Sequence, residues 1–152
     1  MTDPAALLPL WHLAHAAEWD AAKASGEYRT STRGRTLEEE GFIHCSYPHQ
    51  VGGVATAFYG DDPEPLVVLE LDRDVLAAHG TRVRVEAVEG GQRFPHLFGP
   101  IPVDAVREVR AATMVDGRLV LGDAEPARTP LAEELHEVLA ELASDPDPDG
   151  QD

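Results

Sequence analysis

Apolar and polar positions change period several times along this chain, and each change predicts an element. Leu66-Val67-Val68-Leu69-Glu70-Leu71-Asp72 is a near-continuous apolar run bounded by Pro65 and Asp72, the pattern of a central strand buried on both faces. Val83-Arg84-Val85-Glu86-Ala87-Val88 alternates with period two, as a strand with one wet face does. Leu7–Leu13 reads as a first strand after a Pro-containing tail, and Phe42–Cys45 as a short buried one. Phe94–Phe98, Val103–Val109 and Arg118–Leu121 are further strands, separated by Gly90-Gly91, by Pro100 and Pro102, and by Asp116-Gly117, a hairpin-turn pair.

Helical spacing occupies other stretches. Ala16 to Ala24 is rich in helix formers and stops at Gly26, with Ala17, Trp19 and Ala22 on the expected apolar face. Ser46 or Tyr47-Pro48 opens a second helix, carried on by Val51, Val54, Ala55 and Phe58 and ended by Gly60-Asp61-Asp62-Pro63. Tyr28 to Glu40 has no period and reads as an exposed loop. Leu131 to Leu142 sets Leu131, Leu135, Val138, Leu139 and Leu142 on one helix face, and the Pro/Asp-rich stretch after Ser144 reads as disordered. Two early helices among a larger number of strands give an α+β class, a compact mixed or antiparallel sheet core with a C-terminal helix added.

At 152 residues and 43% hydrophobic content the chain is expected to form one folded domain over residues 1–122, followed by an acidic extension over 123–152. Formal net charge is −16, and the extension holds ten of the acidic residues against Arg128 alone. Affinity for nucleic acid comes mainly from Lys and Arg neutralising phosphates, so this balance argues against a general DNA or RNA binder. Arg29, Arg33 and Arg35 form a local basic cluster that reads as a solvated loop. Cys45 is the single cysteine, which fits a reducing cytoplasm. The N-terminal stretch has no basic region of a signal peptide and no segment approaches the roughly 18 apolar residues of a membrane span, so neither secretion nor insertion is expected.

Candidate chemistry centres on histidines with apolar neighbours: Trp11-His12-Leu13, Phe42-Ile43-His44-Cys45-Ser46 and Phe94-Pro95-His96-Leu97-Phe98. Their common setting points to one pocket lined by His12, His44 and His96. A core histidine satisfied by backbone groups is the plain alternative for each. Three neutral imidazoles plus water would also make an open site for a divalent metal, a further alternative. Cys45 alternates with His44 and should face the core, Ser46 is read as a helix cap, and Glu40 is the carboxylate nearest the motif. Gly90-Gly91 lacks the strand-then-helix setting of a phosphate loop, and one cysteine cannot supply paired zinc-finger ligands.

These motifs carry a resemblance. His12, Glu18-Trp19, Gly26 with Tyr28, Glu40 to Ser46, Gln50-Val51, Leu66 to Asp72, and Phe94 to Pro102 followed by Ala105-Val106 resemble the bacterial family called domain of unknown function 952, over about residues 8–110. That family in turn is similar to the ADP-ribosyltransferase-like fold, in pattern nearest to RNA 2'-phosphotransferases. The resemblance implies that His12 and His44 meet the riboses of NAD or ADP-ribose as catalytic residues. Ser46, Phe94, His96 and Phe98 would contact the same substrate. It implies a transferase with NAD as a possible cofactor; the main alternative, from another class, is a non-catalytic small-molecule or nucleotide-binding module using the same pocket. Leu13-Ala14 stands where Gly-Thr would follow the first histidine and no arginine accompanies His44, which argues against handling a 2'-phosphate on RNA. No carboxylate occupies the second-histidine position, which argues against ordinary protein ADP-ribosylation.

Overall fold

The structure, a computed structural model, describes residues 7–88 and 90–127. Strand β1 (Leu10–His15) runs directly into helix α1 (Ala16–Ser25). Gly26 ends the helix in the left-handed conformation its missing Cβ permits, at φ 97°, and returns its N–H to Ala22. The buried face of α1 is Trp19 and Ala22, while Ala17 is exposed.

The stretch expected to be a loop is short pieces of regular structure instead. It holds β2 (Glu27–Tyr28), β3 (Thr30–Thr32), β4 (Arg35–Thr36) and helix α2 (Leu37–Glu40). Polar composition hid them, because their order comes from hydrogen bonds and ion pairs. Thr36 and Glu39 form a reciprocal capping box at the start of α2. Arg33, in the β3–β4 turn, pairs with Asp61 at 2.8 Å and with Asp62 at 3.0 Å.

Strand β5 (Ile43–His44) precedes helix α3 (Val51–Tyr59), which begins later than Ser46 or Pro48. Gln50 fixes that start, accepting from Tyr47 N at 3.0 Å and donating to the Arg93 carbonyl at 2.7 Å. Phe58 faces outward at 48% exposure and Tyr59 takes the buried position. Next come β6 (Leu66–Leu71) and helix α4 (Arg73–Ala78), which the sequence pattern did not show. Asp72, read as the end of a strand, is also the N-cap of α4, accepting from the amides of Asp74 and Val75. Strands β7 (Arg82–Ala87), β8 (Arg93–Phe98) and β9 (Ile101–Pro102) follow. A single turn of 3-10 helix (Val103–Ala105) then leads to β10 (Val106–Val115) and β11 (Arg118–Pro126). Asp116 and Gly117 turn this last hairpin with positive φ, as their sequence predicts.

The result is a mixed α+β protein built mainly of antiparallel sheets. One sheet has the order β1-β6-β10-β11 and another β5-β8-β7; β2 pairs with β9 and β3 with β4. Strand β6 reads as continuously apolar because both its faces are covered. Val67, Leu69 and Leu71 join the larger core with Leu10, Ala14, Trp19, Ile43 and Leu97. Leu66 and Val68 face Trp11, Leu13, Val51, Ala55 and Tyr59 beneath α3. The two larger sheets meet where Trp11 and Ser46 exchange backbone hydrogen bonds of 2.8 and 2.7 Å. Asp123 to Pro126 lie within β11, so the expected boundary after residue 122 cuts a paired strand. The helix expected at Leu131–Leu142 and the stretch after Ser144 lie outside the described residues.

Candidate functional site

Alternation in the β5-β8-β7 sheet sorts the motif residues by face. Ile43, Cys45 and Leu97 point into the core, where burial pushes the Cys45 thiol pKa well up and leaves it inert. The opposite parity puts His44, Phe94 and His96 on the other face, beside Phe42. His44 and His96 are cross-strand partners, with His44 Nδ1 3.3 Å from His96 Nε2. Glu86 of β7 reaches His96 Nδ1 at 2.8 Å. Phe42 stacks flat on His96, and the Phe94 ring centroid is 4.8 Å from that of His44.

This face bounds a cavity of about 540 Å³. Its floor is His44, His96 and Ser31, and its apolar walls include Phe42, Phe94 and Val88. Helix α3 supplies another wall through Gly53, Val54, Ala57 and Phe58. Thr32 and Arg35 of the β3–β4 hairpin and Glu40 of α2 complete it, with Arg35 and Glu40 joined as an ion pair. Ser31 Oγ accepts from the His44 amide at 3.2 Å and so fixes the backbone of β5. Burial above all, and then positive charge on His96 or His12, lowers the His44 pKa to about 4. His44 Nε2 is shielded from water and has no hydrogen-bond partner among the described residues.

His12 is not part of the cavity lining, which corrects the expectation of three histidines around one cleft. The reason is register: His12 stands opposite Leu69 on the core face of β1 and is only 1% exposed. Its Nδ1 donates to the His44 carbonyl at 2.7 Å and its Nε2 accepts from the Tyr28 hydroxyl at 3.0 Å. Burial, opposed by the hydrogen bond to the His44 carbonyl, lowers its pKa to about 4. His12 therefore supports β5 from behind as a neutral core histidine. Among the described residues, no group of three His, Cys, Asp or Glu side chains is placed to hold a metal, so the three-imidazole arrangement does not form.

Of the other residues singled out, Phe94 and Glu40 line the cavity, whereas Ser46 and Phe98 do not. Ser46 is held by its backbone exchange with Trp11 and does not cap α3, whose N-cap is Gln50. Phe98 packs against Phe42 and lies under Arg84. Sequence reasoning missed Glu86, Ser31 and the α3 wall. The alternation Val83 to Val88 placed Glu86 on a polar face, but only cross-strand register brings it to His96.

The fold and site define a class: an α+β protein, mainly antiparallel, whose small sheet presents two histidines at an aromatic cavity, one of them held by the Glu86 carboxylate. The chain belongs to the family described as Protein of unknown function (DUF952), whose model matches residues 13–109. It is similar to the crystal structure of Protein CC0527 from Caulobacter crescentus, at 32% sequence identity and a TM-score of 0.62. That match covers 74% of this chain and 93% of the other. A double mutant of the same Caulobacter protein matches at 31% identity with the same TM-score and coverage. No protein of curated function matches the chain.

Proposed function

We propose that the cavity binds a small molecule with a flat ring and hydroxyl groups, with His44 as its principal polar contact. The nucleoside part of NAD or ADP-ribose is the ligand class that the ADP-ribosyltransferase-like resemblance implies. The observation carrying this reading is the unpartnered His44 Nε2 on a ring that lines the cavity. A buried polar atom left unpaired costs about 1–3 kcal/mol, and a ligand hydroxyl would remove that cost. The volume lies within the roughly 300–1,000 Å³ of small-molecule sites, and apolar walls with a few convergent polar groups are what such sites use.

Charge narrows the reading further. Arg35, the cation of the lining, is already paired with Glu40, so the cavity suits an uncharged base and ribose better than a row of phosphates. With His12 buried, the ribose contact falls to His44 alone, since both nitrogens of His96 are engaged. The nearby carboxylates Glu40 and Glu86 are likewise engaged, by Arg35 and His96, which favours a binding role over ribosyl transfer.

Calorimetry with NAD, ADP-ribose and nicotinamide riboside tests this on the parent and on His44→Ala, with melting temperatures recorded alongside. The parent should give saturable heat with at least one ligand. The variant should bind about tenfold more weakly, the loss of one neutral hydrogen bond. Absence of heat with all three ligands removes the nucleoside reading.

A further inference from the structure

The contacts of His96 determine which nitrogen of His44 carries a proton. An ionised carboxylate only accepts, so Glu86 Oε1, 2.8 Å from His96 Nδ1, requires that Nδ1 be protonated. In a neutral imidazole the other nitrogen then holds the lone pair, so His96 Nε2 accepts. Its donor is His44 Nδ1, 3.3 Å away. The one proton of a neutral His44 is thereby committed to Nδ1, and Nε2 is bare. Hydrogen-bond economy agrees: the atom left unpartnered is His44 Nε2, and buried orphan acceptors are tolerated better than buried orphan N–H groups.

We propose that Glu86 is a positioning residue that acts through His96 to keep bare, as a proton acceptor, the Nε2 of His44, whose ring belongs to the cavity lining. The ligand group at His44 is then a hydroxyl or an N–H, not a carboxylate or phosphate oxygen. This rests on the ligand-binding reading of the cavity and specifies the chemistry of what binds there. A ligand hydroxyl that gives up its proton breaks its O–H bond as N–H forms at His44 Nε2. The His44 Nδ1 proton then passes to His96 Nε2, and the ligand keeps the negative charge. The positive charge comes to rest on His96, against the Glu86 carboxylate.

Two further observations favour this path. By itself His44 is a weak base at neutral pH, since burial and its neighbours lower its pKa to about 4. Proton affinity in a coupled pair belongs to the pair, and here the charge has a better place to rest than on His44. Glu86 is also 39% exposed in its side chain, so a proton arriving at its end of the chain exchanges with water. The nearby cation Arg84 lies over the Phe98 ring.

Long-range proton–nitrogen correlation spectra of the histidine rings, on ligand-free 15N-labelled protein near neutral pH, test this directly. The parent should show protonated Nδ1 and bare Nε2 on both His44 and His96. Glu86→Lys replaces an acceptor by a side chain that only donates. It should invert both rings, leaving His96 Nδ1 bare and His44 Nε2 protonated, and Glu86→Arg should do the same. A protonated His44 Nε2 in the parent overturns the proposal, as does a folded Glu86→Lys protein whose His44 Nε2 stays bare. No ligand enters this experiment, so its result is separate from the calorimetry: bare Nε2 with no heat from nucleosides rejects the ligand class and leaves the role of Glu86 standing.

Discussion

Phe42 lies flat against His96, with ring centroids 4.0 Å apart and planes 14° from parallel. The stack covers a face of the imidazole whose two nitrogens are already committed to Glu86 and His44, and His96 is left only 4% exposed. An aromatic pair of this kind contributes about 0.5–1.5 kcal/mol beyond its buried area. Phe42→Ala should therefore lower stability in urea unfolding by a kilocalorie or more, on the order of the stack plus the lost burial. It should also weaken ADP-ribose binding, because water then competes for the histidine pair. A variant that binds as tightly as the parent would show that the stack serves packing alone.

Gly53 offers a cleaner probe of the cavity. It lies inside α3 with ordinary helical backbone, and a Cβ built there meets no atom of the described residues within 4 Å. Gly53→Ala should stabilise the protein by up to about 1 kcal/mol, the helix-propensity difference. Gly53→Leu projects a side chain into the cavity that Gly53 lines and should abolish nucleoside binding while the melting temperature holds. Undiminished ligand heat in folded Gly53→Leu would place the ligand elsewhere.

His12 predicts the pH dependence of stability. Its folded pKa of about 4 lies below its ordinary value of 6.5, so the unfolded chain takes up the proton first as pH falls. Stability is complete above about pH 6.5, declines between there and about pH 4, and is flat below as far as this group is concerned. The shift corresponds to about 3 kcal/mol, most of it from burial. His44 acts in the same direction. His12→Gln should be less stable than the parent at pH 7, and the gap should shrink as pH falls to 4.5 in urea unfolding. A gap that stays constant over that range would remove His12 as a cause of acid sensitivity.

Asp62 holds the hairpin wall of the cavity to the end of α3. Its carboxylate is 2% exposed, 2.6 Å from His15 Nε2 and 3.0 Å from Arg33 Nε. Burial alone would raise its pKa; the His15 hydrogen bond, the Glu64 amide and the charges of His15 and Arg33 outweigh that and lower it. Asp62→Ala removes this buried partner of His15 and Arg33, which keeps Asp61, and should cost about 1–3 kcal/mol, the range for lost hydrogen bonds to a charged group. Amide exchange should rise across residues 30–36 more than in β6. Unchanged protection of that hairpin would mean that Asp61 and the β3–β4 pairing suffice to hold it.

Much of the fold follows from local pattern. The apolar run of β6, the alternation of β7, the helix formers closed by Gly26 and the Asp116-Gly117 turn each correspond to an observed element, because each encodes a period or a backbone conformation on its own. The order from Glu27 to Glu40 was not legible, since it rests on Arg33 reaching Asp61 and Asp62 and on Thr36 meeting Glu39.

The site divides along the same line. Sequence alone put His44, Phe94 and His96 together and sent Cys45 to the core, because residues of one parity on short strands share a face. Its local pattern gave His12 the same apolar neighbours, yet which face of β1 looks into the core is decided by pairing with β6. Tertiary structure turned His12 into a buried support. It also brought Glu86, 10 residues away from His96 along the chain, to the ring that completes the pair. Local sequence fixes where a side chain points relative to its own strand; only the register between strands, set by the shared core, fixes what it points at.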